Sequence, residues 1–210
     1  MTVVRFHLGH AAQSNSPMSE DRPVAAVILA AGASRRYGSP KQLVVVDGQT
    51  LLEHAIDAAL TAGLAQVVAV VPVWLSRPAR LDAERLRWIR NPFPERGVSL
   101  SLRLGIDALD ADAEAVLILL GDQPRLPEWS ILAILAARGE RPVVASVADG
   151  ILAPPILLER SHFHLVNGLS GDIGLRQVLL ADPDLVRAVV VPSHVPDVDT
   201  PDDLGRILRP

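Results

Sequence analysis

Positive charge is concentrated directly after the first apolar run of the chain. Positions 29–41 read LAAGASRRYGSPK, and Lys41 is the only lysine among the 20 basic residues. Small residues let the backbone approach a ligand closely, so its N–H groups can cradle phosphate oxygens, and a lysine adds a compact point charge. The segment therefore predicts a polyphosphate site. Its residues are Leu29, Ala30, Ala31, Gly32 and Ser34 for the cradle, and Arg35 and Lys41 for the charges.

Carboxylates follow other apolar segments of the chain. Asp122 comes directly after the run 115–120, and Asp197 and Asp199 precede Thr200 near the end. Turn formation explains an isolated Asp, and Thr200 is typical of a helix N-cap, but neither explains the two carboxylates ahead of that cap. Carboxylates from separate loops at one sheet edge can hold Mg²⁺ through one or two oxygens each. The sequence therefore predicts a Mg²⁺ site that combines Asp122 with Asp197 or Asp199.

The composition is that of a globular protein. The chain has 210 residues, 49% of them hydrophobic, a net charge of −4 and no cysteine. Disulfide scaffolds, thiolate metal sites and cysteine nucleophiles are therefore excluded. No run approaches the roughly 18 apolar residues of a membrane helix, and no basic field favours nucleic acid. We expect a cytoplasmic protein with no membrane or nucleic-acid partner, built as one domain at 23–210 with a loosely held extension at 1–22.

Strands alternate with helices along this domain. Apolar runs predict strands at 24–29, 67–71, 88–90, 115–120, 142–147 and 185–191. Helical spacing predicts helices at 52–60, 98–109, 127–137 and 172–180, with another after Thr200. Continuously apolar strands imply a mostly parallel sheet covered on both faces, which is a three-layer α-β-α sandwich. In such sheets ligands bind beyond the carboxyl ends of the strands, so we expect the chemistry in the loops after 24–29 and 115–120.

Five groups of residues occur in the order found in a known family. They are LAAG with KQL at 29–43, NP with GVSLSLRLG at 91–105, GDQP at 121–124, GDIGLR at 171–176 and DVDTP at 197–201. Together they resemble the motifs of MobA/MocA-like nucleotidyltransferases, which implies a Rossmann-like nucleotidyltransferase fold. The resemblance is closest to the branch that makes molybdenum cofactor cytidine dinucleotide from CTP. In that branch the first loop reads LAAG, where guanylyl-transferring relatives usually have LAGG.

The resemblance implies Mg²⁺-dependent transfer of a nucleoside monophosphate, with CMP from CTP favoured, to a phosphate-bearing acceptor such as molybdopterin. Pyrophosphate would be released, and a molybdoenzyme or its maturation factor would be the protein partner. The catalytic residues that it implies are Arg35, Lys41 and Asp122, and the metal ligands that it implies are Asp122 and Asp199. The binding residues form a base and ribose group and an acceptor group: Ser99, Ser101 and Gly105, and then Gly171, Asp172 and Arg176.

One segment departs from the family pattern. Relatives usually carry Gly-His-Pro where this chain has Ala153-Pro154-Pro155, and that segment lies on the acceptor side in the family, so the acceptor stays open. Two alternative functions also stay open: a cytidylyltransferase for an isoprenoid precursor or sugar phosphate, and a nucleotide- or cofactor-binding chaperone without turnover. An NAD-dependent oxidoreductase is disfavoured, because the first loop does not spell G-x-G-x-x-G.

Overall fold

The computed structural model describes residues 23–32, 38–81, 84–123, 126–148 and 150–191. The strands are β1 (Val24–Leu29), β2 (Val45–Val46), β3 (Gln49–Thr50), β4 (Gln66–Pro72), β5 (Leu86–Asn91), β6 (Ala115–Leu120), β7 (Val143–Ala148), β8 (Ile151–Glu159) and β9 (Val186–Val190). The α-helices are α1 (Leu51–Thr61), α2 (Val98–Asp107), α3 (Glu128–Ala136) and α4 (Leu175–Ala181). In the part of the chain that the structure describes, none of the helices has the length and apolar character needed to cross a membrane.

Seven strands form one sheet in the order β5-β4-β1-β6-β8-β7-β9, and β2 pairs with β3 in a separate hairpin. Within the large sheet β8 runs antiparallel to both neighbours, and every other neighbouring pair is parallel. The prediction of a mostly parallel sheet is confirmed. We call the edge at which β1, β4, β5 and β6 end the carboxyl edge, and the opposite edge the amino edge.

Successive residues of β1 belong to two different cores, as the alternation of side chains along a strand requires. Ala26 and Ile28 pack with buried residues of α1 and α3, whereas Val27 packs with buried residues of α2 and α4. All three side chains are fully buried. Helices therefore cover both faces of the sheet, which confirms the three-layer α-β-α sandwich.

The sequence analysis assigned no strand at β8. Its apolar run at 156–158 follows Pro154 and Pro155, which have no N–H group to give to a neighbouring strand. The structure accommodates both prolines where the ladder is interrupted. Pairing with β6 involves Ile156 and the residues after it, and the register with β7 shifts immediately before Ser146.

Four predicted elements, α2, α3, α4 and β9, are shorter in the structure than the sequence indicates. α4 begins at Leu175 rather than at Asp172, because Gly174 occupies the N-cap position and its N–H donates to the Gln177 side chain at 3.1 Å. β9 ends at Val190. The helix predicted after Thr200 and the extension at 1–22 lie outside the described residues.

Candidate active site

A cleft of about 650 Å³ opens at the carboxyl edge of the sheet. Its walls come from the end of β1 and the loop after it, the loop between β5 and α2, the end of β6, and the loop before α4. Seven residues that the sequence predicts for the site line this cleft: Leu29, Ala30, Ala31, Gly32, Ser101, Asp122 and Asp172. The other lining residues are Gln42, Pro94, Glu95, Gly97, Val98 and Leu120.

The floor of the cleft is an extension of the sheet beyond β1 and β6. The N–H of Ala30 donates to the Val70 carbonyl at 2.9 Å, and the N–H of Gly121 donates to the Leu29 carbonyl at 2.9 Å. A Cβ atom on Gly121 would lie 2.7 Å from the Cβ of Ala30, so only glycine permits this approach. The two predicted loops are therefore held against each other, and Asp122 follows directly on that contact.

The α2 wall contains a buried polar pair, of which sequence reasoning selected Ser101 but not Asn91. The Nδ2 of Asn91 donates to Ser101 Oγ at 3.0 Å, and the N–H of Phe93 donates to Asn91 Oδ1 at 2.9 Å. Because a backbone N–H can only donate, the amide oxygen must face Phe93 and the amide nitrogen must face Ser101. The Ser101 hydroxyl therefore accepts from Asn91 and keeps its own hydrogen to donate on the cleft side. The NP motif, which contains Asn91, is the sequence signal that could have identified this residue.

Two glycines bring the loop before α4 against the start of α2. Gly97 has φ +84°, and a Cβ atom there would lie 2.2 Å from the carbonyl carbon of Gly171. The N–H of Ser99 donates to the Gly171 carbonyl at 3.1 Å, and Arg103 Nη1 donates to the Leu169 carbonyl at 2.6 Å. This docking places the loop that carries Asp172 on the cleft wall. It joins the residues predicted for the nucleotide to those predicted for the acceptor.

In the short 3-10 turn at Lys41–Leu43, which follows the first loop, Gln42 lines the cleft and the predicted Lys41 does not. Lys41 is buried, and the next residue, Gln42, is 2% exposed and lines the cleft. Within the described part of the chain, the Gln42 Nε2 has no hydrogen-bond partner. The sequence analysis quoted Gln42 within the KQL motif but gave it no role, because a buried amide without a partner is visible only in the folded chain.

Several predicted residues do not line the cleft in the described ranges. Gly105 packs α2 against β1, since a Cβ atom there would lie 2.4 Å from Val27 Cγ1. This packing role accounts for the glycine without a nucleotide contact. Ser99 is fully buried, and Arg176 is exposed on the first turn of α4. Predicted residues that lie outside the described part of the chain are Ser34, Arg35 and Asp199.

The described walls of the cleft carry the carboxylates of Glu95, Asp122 and Asp172. Asp122 offers the hard oxygen ligand that Mg²⁺ prefers, so its chemistry fits the predicted metal. Among the residues that the structure describes, no group of three or more His, Asp or Glu side chains could hold a metal ion. Mg²⁺ commonly binds through one or two carboxylates together with water and phosphate oxygens, and this donor set is compatible with that mode.

Comparison with known sequences identifies a family for most of the chain. Residues 26–186 match the MobA-like NTP transferase domain. The chain is 29% identical over 195 residues to the purine catabolism protein PucB of Bacillus subtilis, covering 87% of this chain and 95% of that protein. It is 32% identical over 199 residues to the nicotine blue oxidoreductase of Paenarthrobacter nicotinovorans, covering 88% and 96% respectively.

Comparison with solved structures shows the same fold in known proteins. Rv0371c from Mycobacterium tuberculosis H37Rv superposes with a TM-score of 0.77 at 27% identity, covering 90% of this chain and 98% of that one. A structure of Rv0371c in complex with manganese superposes with a TM-score of 0.72 at 25% identity, covering 89% and 98%. The fold, the ordered motifs and these matches agree, so the chain belongs to the MobA-like NTP transferase family and is a nucleotidyltransferase.

Proposed function

We propose that this nucleotidyltransferase moves CMP from CTP to a phosphate-bearing acceptor such as molybdopterin and releases pyrophosphate, with Mg²⁺ as its cofactor. One observation carries the proposal. Segments that are distant in the sequence supply Gly32, Ser101, Asp122 and Asp172 to a single cleft at the carboxyl edge. This is the place at which α/β sheets bind their ligands.

The reaction needs little covalent participation from the protein. A phosphate oxygen of the acceptor forms a bond to the α-phosphorus of CTP, and the bond between that phosphorus and the oxygen bridging to the β-phosphate breaks. Pyrophosphate leaves with the electron pair. The attacking phosphate is already ionised at neutral pH, so no general base is required. The protein must position two anions and neutralise the charge that develops between them.

These tasks would be divided among the predicted site residues. Backbone N–H groups between Ala30 and Gly32 would cradle the phosphates, and Lys41, with Arg35 from the same loop, would neutralise their charge. Asp122 and Asp199 would hold Mg²⁺, and the bound ion would add positive charge at the phosphate oxygens. The manganese complex of Rv0371c supports a divalent metal in this family.

The preference for CTP is inferred from Ala31. This residue is 3% exposed and packs in the same core as Val27 and Leu102, so its methyl group lies on the α2 side of the cleft. A methyl group takes space and offers no hydrogen bond, which handicaps a purine more than a pyrimidine. A steric effect of this size corresponds to roughly 10–200-fold in kcat/KM for CTP over GTP.

The name of one relative supplies a rival function. The match to nicotine blue oxidoreductase covers 88% of this chain. Hydride transfer from a reduced nicotinamide is therefore the alternative reaction. The first loop lacks the G-x-G-x-x-G pattern of dinucleotide-binding sites. Its absence favours nucleotidyl transfer. The acceptor is inferred from the resemblance, and Ala153-Pro154-Pro155 is the segment where it is least supported.

The test is a substrate screen on the purified chain. Pyrophosphate release is measured with each of the four NTPs, with molybdopterin-type acceptors and with a sugar phosphate, in the presence and absence of Mg²⁺. Consumption of NADH and NADPH is followed in parallel. We expect Mg²⁺-dependent release with CTP and a molybdopterin-type acceptor, and a narrower gap between CTP and GTP in Ala31→Gly. Equal rates with CTP and GTP would remove the role of Ala31, and nicotinamide consumption without pyrophosphate release would replace the proposed reaction.

A further inference from the structure

A buried amide nitrogen in the cleft wall has no hydrogen-bond partner in the described part of the chain. Gln42 is 2% exposed, yet its Nε2 makes no hydrogen bond within the described part of the chain. The residue also lines the cleft, together with Gly32 and Asp122. Leaving a buried amide donor unpaired costs free energy in the folded state, so its retention calls for an explanation.

A second buried glutamine shows that this chain can satisfy such an amide. Gln66, at the start of β4 on the amino edge, is 5% exposed, and its Oε1 accepts from the N–H of Asp110 at 3.0 Å. Gln66 therefore contributes to the fold through a protein partner. Gln42 has comparable burial and borders the cleft, but its Nε2 has no partner among the described residues, which is the arrangement expected if the partner enters with a ligand.

The neighbours of Gln42 indicate which ligand supplies that partner. The amide sits in the turn that begins with Lys41 and borders the cleft formed by the Leu29–Gly32 segment. An Nε2 group is a donor, so it requires an acceptor atom, and phosphate, ribose and nucleobase oxygens are all acceptors. Opposite it, the Ser101 hydroxyl also keeps a hydrogen to donate, since its oxygen accepts from Asn91. Both walls therefore offer donors to a ligand that is rich in oxygen.

We propose that Gln42 is a nucleotide-binding residue whose side-chain Nε2 donates a hydrogen bond to an oxygen of the bound nucleoside triphosphate. The inference rests on the proposed function in one respect, namely that an NTP occupies this cleft. It predicts that one substitution raises the stability of the free protein and lowers its affinity for the nucleotide. Removing the amide relieves an unpaired group in the free protein and removes a contact in the complex.

The experiment compares Gln42→Met with Gln66→Met. Methionine keeps the length of the side chain and removes its polar atoms, so both variants change the same chemistry at comparably buried positions. Thermal unfolding is measured without ligand, and the Kd for CTP is measured calorimetrically in Mg²⁺. We expect Gln42→Met to raise Tm by about 2–4 °C and to weaken CTP binding by about 5- to 150-fold. Gln66→Met should lower Tm by a similar amount and leave the Kd unchanged.

If the methionine variant does not fold, CTP binding by Gln42→Glu provides a second test. A carboxylate at this position only accepts, and it repels phosphate, so CTP binding should weaken at least as much as in Gln42→Met. Unchanged CTP affinity in the folded Gln42 variants, with normal binding by the unsubstituted chain, would overturn the role of Gln42 and leave the proposed function standing. If the unsubstituted chain binds none of the four NTPs, both proposals fail together.

Discussion

Buried polar side chains are treated differently at the two edges of the central sheet. At the amino edge, Arg138 donates to both carboxylate oxygens of Glu159, at 2.6 and 2.9 Å, and Gln66 accepts from a backbone N–H. At the carboxyl edge, buried atoms of Gln42, Ser99 and Gln123 have no partner within the described residues. The polar groups at the amino edge are paired mainly within the protein, whereas the carboxyl edge leaves several buried polar atoms unpaired in the described ranges, and of these residues Gln42 lines the cleft.

One atom at the amino edge qualifies this comparison. Arg187 Nε is buried without a partner in the described residues, but the same guanidinium donates through Nη1 to the Ala137 carbonyl and pairs with Glu140. Its charge is therefore compensated. The amides at the carboxyl edge have no such compensation, which is the pattern expected where stability is given up for binding.

Arg138→Met tests the amino edge and should have the largest effect. The side chains of Arg138 and Glu159 are 13% and 12% exposed, so the substitution leaves a buried carboxylate without its bidentate partner. Breaking a buried pair in this way typically costs about 3–5 kcal/mol in the free energy of unfolding. Urea denaturation measures that loss, and kcat/KM with CTP should stay unchanged. A large fall in kcat/KM of the folded variant would show that the two edges are not separable.

Lys41→Met tests the carboxyl edge by activity. If the charge of Lys41 stabilises the transition state, turnover should fall by about 10² or more while the variant still unfolds cooperatively, because a preorganised charge contact is lost. Lys41→Arg is the matched control. A planar guanidinium does not replace a compact ammonium at a phosphate, so it should rescue little of the activity. Steady-state pyrophosphate release checks both variants, and rates like those of the unsubstituted chain in Lys41→Met would remove the lysine from the mechanism.

Gly97→Ala and Gly171→Ala test whether the loop before α4 is tightly docked on α2 or only loosely packed there. Both glycines have positive φ values, +84° and +58°, but a Cβ atom on Gly97 would meet the Gly171 backbone at 2.2 Å, whereas nothing lies within 4 Å of one on Gly171. The strain at Gly171 should cost about 1–2 kcal/mol, and the clash should make Gly97→Ala about 1–3 kcal/mol worse. Chemical denaturation measures both variants. Equal losses would mean that the loop before α4 yields easily and that the docking is weak.

The sequence predicts the fold well where each strand is a continuous apolar run. The runs in β1, β4 and β6 give the sheet and its carboxyl edge, and the loops after β1 and β6 supply Gly32 and Asp122 to the cleft. The sequence analysis misses β8, because Pro154 and Pro155 interrupt its ladder. It assigns no role to Gly97 or Gln42. A close backbone approach and an unpaired amide are properties of the folded chain, and no local pattern encodes them.

Glu53 sharpens the comparison at its smallest scale, because it is a carboxylate of α1 whose partners, Arg80 and Thr50, belong to the fold itself. Burial raises the pKa of Glu53. Hydrogen bonds from Arg80 and from the side chain and N–H of Thr50 lower this pKa by more than burial raises it, so the net pKa lies below the ordinary value. A lowered pKa in the folded state stabilises the fold at pH above the unfolded value of roughly 4.3, and this contribution is lost as the pH falls through the folded value.

Glu53→Gln removes the charge but still accepts from the Thr50 N–H, so it mainly deletes the pairing with Arg80, whose side chain is 44% exposed. We expect a loss of about 1 kcal/mol or less at pH 7, since solvent screens such a pair. Urea denaturation of the two proteins from pH 7 to pH 3 should show the difference shrinking toward zero at the acid end. A difference that stays constant over that range would mean that the charge of Glu53 does not contribute to the stability of the fold.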